Sequence, residues 1–309
     1  YITRGNVYTF LKQYEQAVQE YDKALELNPN YTQAYINRGL VYSALGQKER
    51  AIQDLTKAIE LNPNNAEAYY NRGNSYSDLG QKERAIQDYD KAIELNPNNA
   101  EAYYNRGIAY YDLGQKERAI QDFNKAIELN PDDAKAYKKR GDCYYELKNY
   151  SQAVEDFTRA IELAPNNQDA YFQRGRSYNV LGNYAAAIDD YSKLIELNPN
   201  YHSNTYNNRG WAYQKSGDLD KALADYDKAL ELDTNNILAC YNRGNAYYYS
   251  KQYEQAIQDF DKAVELNPNY FEAYYYRGLA YANLKQYDRA VQDYDKAIGL
   301  NPTNATVYV

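Results

Sequence analysis

The chain has 309 residues, of which 44% are hydrophobic, and a formal net charge of −8. This hydrophobic content is enough for a folded core and excludes an intrinsically disordered chain. The acidic balance argues against a general nucleic-acid surface, because binding to phosphates requires an excess of Lys and Arg. No apolar run approaches the roughly 18 residues that a membrane-spanning helix needs. We therefore expect neither a nucleic-acid partner nor membrane insertion.

A fixed period organises the whole sequence. The dipeptide Arg-Gly recurs every 34 residues, with one interval of 35. Its glycines are Gly5, Gly39, Gly73, Gly107, Gly141, Gly175, Gly210, Gly244 and Gly278. The extra residue falls at 200–205, in a segment predicted to connect two helices, where an insertion is tolerated. Such a period is typical of a solenoid built from one repeating unit.

The period divides the chain into nine repeats of a single array, followed by the start of a tenth. In chain order we assign the repeats approximately to residues 1–31, 32–65, 66–99, 100–133, 134–167, 168–201, 202–236, 237–270 and 271–304.

Each repeat is predicted to form two helices. In the third repeat, apolar and small residues at helical spacing predict one helix over Ala66–Leu79 and a second over Lys82–Leu95. Gly80 suits the left-handed residue that ends a helix, and Pro97 cannot extend the second one. Gly73 lies inside the first helix, where glycine costs about 1 kcal/mol relative to alanine. We expect the two helices to cross there, with Ala85 as the small partner.

An arginine precedes every one of the nine glycines, and an acidic residue follows on the second helix of the same repeat. Arg72 and Asp88 are one such pair. In an antiparallel helix pair the two positions lie near the same crossing point. We predict a series of partly buried Arg–carboxylate bridges between the helices rather than a row of anion-binding arginines.

Catalytic and metal-binding patterns are missing from the sequence. Cys143 and Cys240 lie three repeats apart, too far for a disulfide, so two free thiols are expected. His202 is the only histidine, and the 15 glycines follow the repeat instead of forming a phosphate-binding loop. We expect no enzyme activity in this chain and no cofactor.

The repeat resembles the tetratricopeptide repeat. The resemblance covers the whole chain and is carried in the third repeat by Tyr69, Gly73, Tyr76, Ala85, Tyr89, Ala92 and Pro97, in the family's order and spacing. Arg72 and its equivalents differ from the leucine that is usual before the glycine. The resemblance implies an all-α fold: an α-solenoid of antiparallel helix pairs that forms a right-handed superhelix. First helices would line its concave groove, and second helices its convex side.

The same resemblance places candidate binding residues in the groove, next to each Arg-Gly. Asparagine offers both a donor and an acceptor to a peptide backbone, and tyrosine adds contact area at low entropic cost. The candidates of this kind are Asn37, Tyr70, Asn71, Asn74, Tyr104, Asn105, Asn208, Asn242 and Asn245. The alternative is that Asn-Arg-Gly was copied by recent duplication, since several repeats are nearly identical.

The middle of the array departs from this pattern. Lys135, Lys138 and Lys139, with Arg176 one repeat later, predict a basic island that suits an acidic peptide segment. The arrangement is not the complete carboxylate clamp of the co-chaperone members of the family. Trp211 is either a second hot spot for binding or a core aromatic.

The predicted function is a scaffold that binds a protein or an extended peptide in the groove. One alternative is the substrate-recruiting arm of a larger enzyme, such as a glycosyltransferase. Another is a structural solenoid without a ligand that associates end to end. The sequence leaves the partner, the pathway and the compartment open.

Overall fold

A computed structural model of the chain describes residues 1–301, so the predicted start of a tenth repeat lies outside the described residues. All regular elements in this range are α-helices. In chain order they are α1 Ile2–Phe10, α2 Tyr14–Leu27, α3 Thr32–Ala44, α4 Lys48–Leu61, α5 Ala66–Asp78, α6 Lys82–Leu95, α7 Ala100–Asp112, α8 Lys116–Leu129, α9 Ala134–Glu146, α10 Tyr150–Leu163, α11 Gln168–Val180, α12 Tyr184–Leu197, α13 Ser203–Ser216, α14 Leu219–Leu232, α15 Ile237–Tyr249, α16 Tyr253–Leu266, α17 Phe271–Asn283 and α18 Tyr287–Leu300.

The helices form two compact units, an N-terminal unit over Tyr1–Leu163 and a C-terminal unit from Ala164 onward. Within each unit every odd-numbered helix packs on the even-numbered helix that follows it, and each pair packs on the next pair. Successive odd-numbered helices also contact one another, from α1 to α9 in the first unit and from α11 to α17 in the second. This paired packing is that of an α-solenoid, as predicted, and it brings the first helices side by side on one face of each unit.

The turn between the two helices of a repeat requires a left-handed residue. Five repeats supply glycine, including Gly80 with φ of 74°. The other four place a lysine there, namely Lys12, Lys148, Lys251 and Lys285, with φ between 57° and 63°. Glycine adopts this conformation without steric conflict, whereas a residue with a Cβ is strained by about 1 kcal/mol or more.

In eight of the nine repeats the glycine inside the first helix lies against a ring of the second helix, and in the second repeat Gly39 lies against the side chain of Leu55. A Cβ on Gly73 would come within 2.8 Å of Cε1 of Tyr89 and within 3.3 Å of the carbonyl oxygen of Ala85. The expected crossing is therefore confirmed with Ala85 opposite the glycine, but the contact with the ring of Tyr89 was not predicted. The closest obstacle is the aromatic side chain four residues after the alanine, and the alanine contributes only its backbone oxygen. Because Tyr89 and Ala85 are almost completely buried, the core of a repeat is centred on this contact.

The predicted Arg–carboxylate bridges form in all nine repeats. Arg106 is typical: its Nε donates to Oδ2 of Asp122 at 2.8 Å and its Nη2 donates to Oδ1 at 2.6 Å. The carboxylates are buried while the arginines keep about a fifth of their side chain exposed in most repeats. The pairs are Arg4–Glu20, Arg38–Asp54, Arg72–Asp88, Arg106–Asp122, Arg140–Asp156, Arg174–Asp190, Arg209–Asp225, Arg243–Asp259 and Arg277–Asp293.

Sequence reasoning missed the third contact of these arginines. Nη1 of Arg106 donates to Asp90 of the preceding repeat at 2.6 Å, so one guanidinium joins two second helices. The acceptor position is Asp22 for Arg38, Thr56 for Arg72, Asn124 for Arg140, Ser192 for Arg209, Asp227 for Arg243 and Asp261 for Arg277. All are side chains with an oxygen acceptor, two residues after the buried carboxylate. This regular spacing of oxygen acceptors was the signal in the sequence that could have predicted the contact.

We predict that Gly73→Ala destabilises the protein by about 1–3 kcal/mol, because the new methyl group collides with the ring of Tyr89. Gly299→Ala is the matched control, since a Cβ at this helical glycine meets nothing within 4 Å. It should be neutral or stabilising by up to about 1 kcal/mol, as alanine favours helix. Denaturant unfolding measures both, and equal stabilities of the two variants would contradict the crossing contact.

We also predict that neither cysteine reacts rapidly in the native protein. Both are free and buried, and burial raises the pKa of Cys143 to about 12 and that of Cys240 to about 11. At about pH 8 the reactive thiolate is therefore scarce. Titration with a chromogenic disulfide should show slow reaction of the native chain and two rapid equivalents in denaturant. Fast stoichiometric reaction without denaturant would contradict this burial.

Candidate functional site

A cavity of about 390 Å³ opens among the first helices of the N-terminal unit. We call it the groove pocket. It is lined by α5, α7, the start of α9 and the preceding turn, through Tyr70, Ala100, Glu101, Tyr104, Asn105, Asn130, Asp133 and Lys135. Four of the predicted binding residues, Tyr70, Tyr104, Asn105 and Lys135, are thus brought together. The predicted face of the solenoid is where this cavity lies.

Two tyrosines form the aromatic walls of the groove pocket. Tyr70 rests on Tyr89 with ring centroids 6.2 Å apart, and Tyr104 rests on Phe123 at 5.8 Å. Burial raises the pKa of Tyr104 to about 12, with a smaller contribution from the charges of Asp133 and Asp142. Its phenol therefore stays protonated at neutral pH and can act as a hydrogen-bond donor.

Asn105 is held in one orientation by the repeat before it. Its Nδ2 donates to Oδ1 of Asn74 at 2.9 Å and to the hydroxyl of Tyr70 at 3.1 Å. Asn74 in turn accepts from the hydroxyl of Tyr89 at 2.8 Å. Because both amide hydrogens are used, the carbonyl oxygen Oδ1 is the group that Asn105 can offer to a ligand.

The first two repeats contain the same arrangement. The Tyr21 hydroxyl donates to Oδ1 of Asn6 at 2.8 Å, and Nδ2 of Asn37 donates to the same oxygen at 2.9 Å. Gln33 also donates to Oδ1 of Asn37. Asn37 is consequently occupied on both sides of its amide, unlike Asn105.

Carboxylates complete the groove pocket, and both already have donors. Glu101 accepts from the Tyr70 hydroxyl at 3.1 Å. Asp133 caps α9 and accepts from the backbone N–H of Lys135 at 2.9 Å. Sequence reasoning did not select these residues, since it looked for asparagine and tyrosine beside Arg-Gly and for basic side chains in the middle of the array. The acidic residue at the start of a helix, one turn before the groove tyrosine, was the signal that could have found Glu101.

A second cavity of about 380 Å³ adjoins the first. It is lined by Ser43, Asn74, Ser77, Asp78, Tyr89, Asn105 and Ile108. Asn105 borders both cavities, so a chain segment lying along the first helices would pass over it.

The remaining predicted residues of the N-terminal unit lie apart from this pair of cavities. Asn71 is half-buried, and its side chain has no hydrogen-bond partner within residues 1–301. Nζ of Lys138 donates to Oδ2 of the buried Asp142 at 2.8 Å. Nζ of Lys139 lies 5.4 Å from the ring centre of Tyr111. Two of the three lysines of the predicted basic island are therefore occupied within the protein.

The C-terminal unit holds the other candidates. Arg176 lies over the ring of Phe172 and donates to Gln173 at 3.0 Å. Trp211 is half-buried, packs edge-on against Tyr184 at 5.5 Å and is covered by Nζ of Lys215 at the same distance.

Three predicted asparagines lie in the same unit. Asn242 donates to Oδ1 of the buried Asn207 at 2.9 Å, and Asn207 donates to Asn208 at 3.3 Å. Asn245 is buried, with only 9% of the residue exposed. Asparagine contacts along the first helices thus recur in the C-terminal unit with different partners.

Residues 1–301 contain no group of three or more His, Cys, Asp or Glu side chains placed to hold a metal ion. Over the same range no helix combines the length and the apolar character needed to cross a bilayer. The groove pocket offers phenols, amides and aromatic faces, which are groups suited to binding.

Comparison with known proteins gives matches to one repeat family. A TPR repeat model matches residues 5–46, 42–80 and 73–114. A tetratricopeptide repeat model matches residues 100–133, 134–167, 169–201, 203–236, 237–270 and 271–304. A search of curated proteins finds no match.

Several solved structures are similar to the chain. YrrB, described as a TPR protein with an unusual peptide-binding site, is 31% identical with a TM-score of 0.56, over 60% of this chain and 95% of its own. MamA is 30% identical with a TM-score of 0.53, over 55% and 92%. The C-terminal part of a TPR repeat-containing protein from Cytophaga hutchinsonii is 24% identical with a TM-score of 0.66, over 78% and 99%.

Proposed function

Because the chain belongs to the tetratricopeptide repeat family, whose repeats generally mediate protein–protein interaction, we propose that it is a scaffold that binds an extended peptide along the first helices of its N-terminal unit. Binding, and not catalysis, is the proposed activity. The observation that carries this proposal is the groove pocket, in which Tyr70, Tyr104 and Asn105 converge from two successive first helices.

The fixed amide of Asn105 supports the proposal. Its orientation is set before any ligand arrives, so little side-chain entropy is lost when Oδ1 accepts a peptide N–H. This contact does not depend on peptide side chains. The tyrosine walls supply the contact area that selects a side chain.

The charges around the groove pocket limit which basic residues can pair with an acidic residue of a peptide. Asp142 neutralises Lys138, and Lys139 is held on Tyr111. Lys135 is the exposed cation at the groove pocket, opposed there by Glu101 and Asp133. We therefore propose that an acidic residue of the peptide, where present, pairs with Lys135, and that the amide and aromatic contacts supply most of the affinity.

The YrrB structure supports a peptide as the ligand class, since that protein is described as having a peptide-binding site and is 31% identical over 60% of this chain. The proposal for this chain rests on its own side chains, namely on the hydrogen bonds that orient Asn105.

We predict that Asn105→Ala weakens the binding of extended peptides selected against the wild-type chain by about three- to tenfold, the loss expected for one or two hydrogen bonds. Titration calorimetry measures the affinity. Gln121→Ala is the matched control: it removes an exposed amide from α8, a second helix, and should leave affinity unchanged. Equal losses in both variants, or none in either, would contradict the proposed site.

We also propose end-to-end association of the solenoid. Val7 is 51% exposed, whereas Val41, at the same position of the second repeat, is 1% exposed and packs on Ala17 and Tyr21 of the first repeat. At the other end, Tyr287 and Val291 of α18 are more than half exposed. A second copy that stacks on α1 would cover the face of Val7 by the same packing that joins successive repeats.

For this association we predict an apparent mass in light scattering that rises with protein concentration. Val7→Glu should give a concentration-independent monomer, because a charge cannot be buried at that position without a partner. Val180→Glu is the control, since Val180 is similarly exposed on a first helix away from either end. A wild-type chain that stays monomeric at every concentration would overturn the proposal.

A further inference from the structure

Glu272 is an exposed carboxylate in the first turn of α17 that has no hydrogen-bond or ion-pair partner within residues 1–301. Glu101 occupies the same position in the fourth repeat, and it accepts from the hydroxyl of Tyr70 at 3.1 Å. The tyrosine that corresponds to Tyr70 is Tyr241. Burial raises the pKa of Tyr241, and the negative charge of Glu272 adds to this rise. The carboxylate of Glu272 therefore lies near the phenol of Tyr241, and it is available to a ligand.

Tyrosine rings adjoin this carboxylate. Tyr275 and Tyr276 lie three and four residues after Glu272, on the same side of α17. The ring centroid of Tyr276 is 6.1 Å from that of Tyr241 and 5.9 Å from that of Tyr248, and both pairs meet edge to face. We call this set of contacting rings the tyrosine face; its members are Tyr241, Tyr248, Tyr249, Tyr275 and Tyr276. Tyr249 is 58% exposed, so solvent reaches the rim of this surface.

Within residues 1–301 no arginine or lysine lies over a ring of the tyrosine face. Rings at the same positions of other repeats do have a cation. Phe172 corresponds to Tyr241, and the guanidinium of Arg176 lies 5.9 Å from the centre of its ring. The position of Arg176 is filled in the eighth repeat by Asn245, which is neutral. Tyr241 therefore keeps the ring of this arrangement without the cation.

A second ring of the tyrosine face shows the same replacement. Tyr111 corresponds to Tyr248, and Nζ of Lys139 in the next repeat lies 5.4 Å from the centre of its ring. The position of Lys139 is filled in the ninth repeat by Tyr276. At both positions the aromatic ring is present and its internal cation is absent, so a cation from outside the chain can take that place.

The repeat arginines show which cation suits tyrosine rings beside a carboxylate. Arg72 donates two hydrogen bonds to Asp88, and its guanidinium lies 5.7 Å from the ring centre of Tyr69 and 5.9 Å from that of Tyr76. The tyrosine face and Glu272 offer the same two kinds of group without the arginine. A guanidinium suits them better than an ammonium, because it is planar, stacks on aromatic rings and is more weakly hydrated.

We propose that the tyrosine face binds an arginine side chain of a partner peptide, with the guanidinium stacked on the phenol rings and donating to the carboxylate of Glu272. The net charge of −8 attracts such a basic peptide over a longer range. An acidic segment is repelled by Glu272, and a neutral segment would cover that carboxylate without a partner. This site lies in the C-terminal unit, goes beyond the peptide binding proposed for the groove pocket and does not depend on it.

The test compares three dye-labelled peptides that differ in one side chain. Each is a short glycine–serine peptide with blocked ends, and its central residue is arginine, lysine or citrulline, which has the shape of arginine without the charge. Fluorescence anisotropy measures the affinities at about 0.15 M salt, where long-range attraction is screened. The wild-type chain should bind the arginine peptide about five- to twentyfold more tightly than the citrulline peptide. It should also bind the arginine peptide more tightly than the lysine peptide.

Glu272→Gln is the decisive variant, because it removes the charge of an exposed side chain and keeps its shape. It should weaken the arginine peptide about two- to fivefold, the loss expected for one exposed ion pair, and leave the citrulline peptide unchanged. Glu254→Gln is the matched control. Glu254 is also an exposed carboxylate in the first turn of a helix, here the second helix α16 of the same unit. Its variant changes the net charge equally and should leave all three affinities unchanged.

Further variants separate the aromatic contribution. Tyr249→Ala should weaken the arginine peptide about two- to fivefold, whereas Tyr31→Ala, which removes an exposed tyrosine from the N-terminal unit, should not. Asn105→Ala changes the groove pocket alone and should leave this binding unchanged, so failure here is distinguishable from failure there. The proposal is overturned if the wild type binds none of the peptides, or binds the citrulline or lysine peptide as tightly as the arginine peptide. It is also overturned if Glu272→Gln keeps the wild-type affinity or Glu254→Gln loses as much.

Discussion

The structure depends on one guanidinium in each repeat. Arg106 and six of its equivalents reach from a first helix to a buried carboxylate of the same repeat and, through Nη1, to the second helix before it. Desolvation raises the pKa of Asp122 even though Arg106 opposes the rise. Burying the pair is thus costly, and its net contribution to stability is small. The arginine instead fixes the geometry between repeats. Its bidentate contact with the carboxylate, together with the Nη1 contact to the preceding repeat, limits how far successive helix pairs can rotate or slide.

Much of the fold could be predicted because its causes are local and repeated. Proline and glycine mark the ends of helices, and the spacing of Arg72 and Asp88 predicts their contact, which is confirmed. The contact of Gly73 with the ring of Tyr89 was missed for a physical reason. Both Ala85 and Tyr89 lie on the inner side of the second helix, and sequence spacing does not show that the ring leans back over the glycine. The contact of Arg72 with Thr56 of the preceding repeat was missed because the acceptor at this position differs in residue type from one repeat to the next.

The candidate site was only partly predictable. The family resemblance predicted that Tyr70, Tyr104 and Asn105 lie together on the first helices, and they line one cavity there because the repeat brings the first helices side by side. Whether an asparagine there is available depends on its neighbours: Asn37 is occupied by Asn6 and Gln33, whereas Asn105 keeps Oδ1 open. The same holds for Lys138, whose charge is met by Asp142. Such differences arise from side chains in adjacent repeats and cannot be predicted from the pattern of a single repeat.

The third arm of the arginine tolerates Asp, Asn, Ser or Thr as its acceptor. Any repeat with such a side chain on its second helix can therefore be followed by any repeat with the Arg-Gly pair on its first helix. Unequal recombination can lengthen or shorten the gene by whole repeats. Each newly joined pair of repeats then forms the same Nη1 contact without compensating mutations. Groove chemistry can then diverge unit by unit while the scaffold stays constant, which gives selection a simple route from one partner to the next.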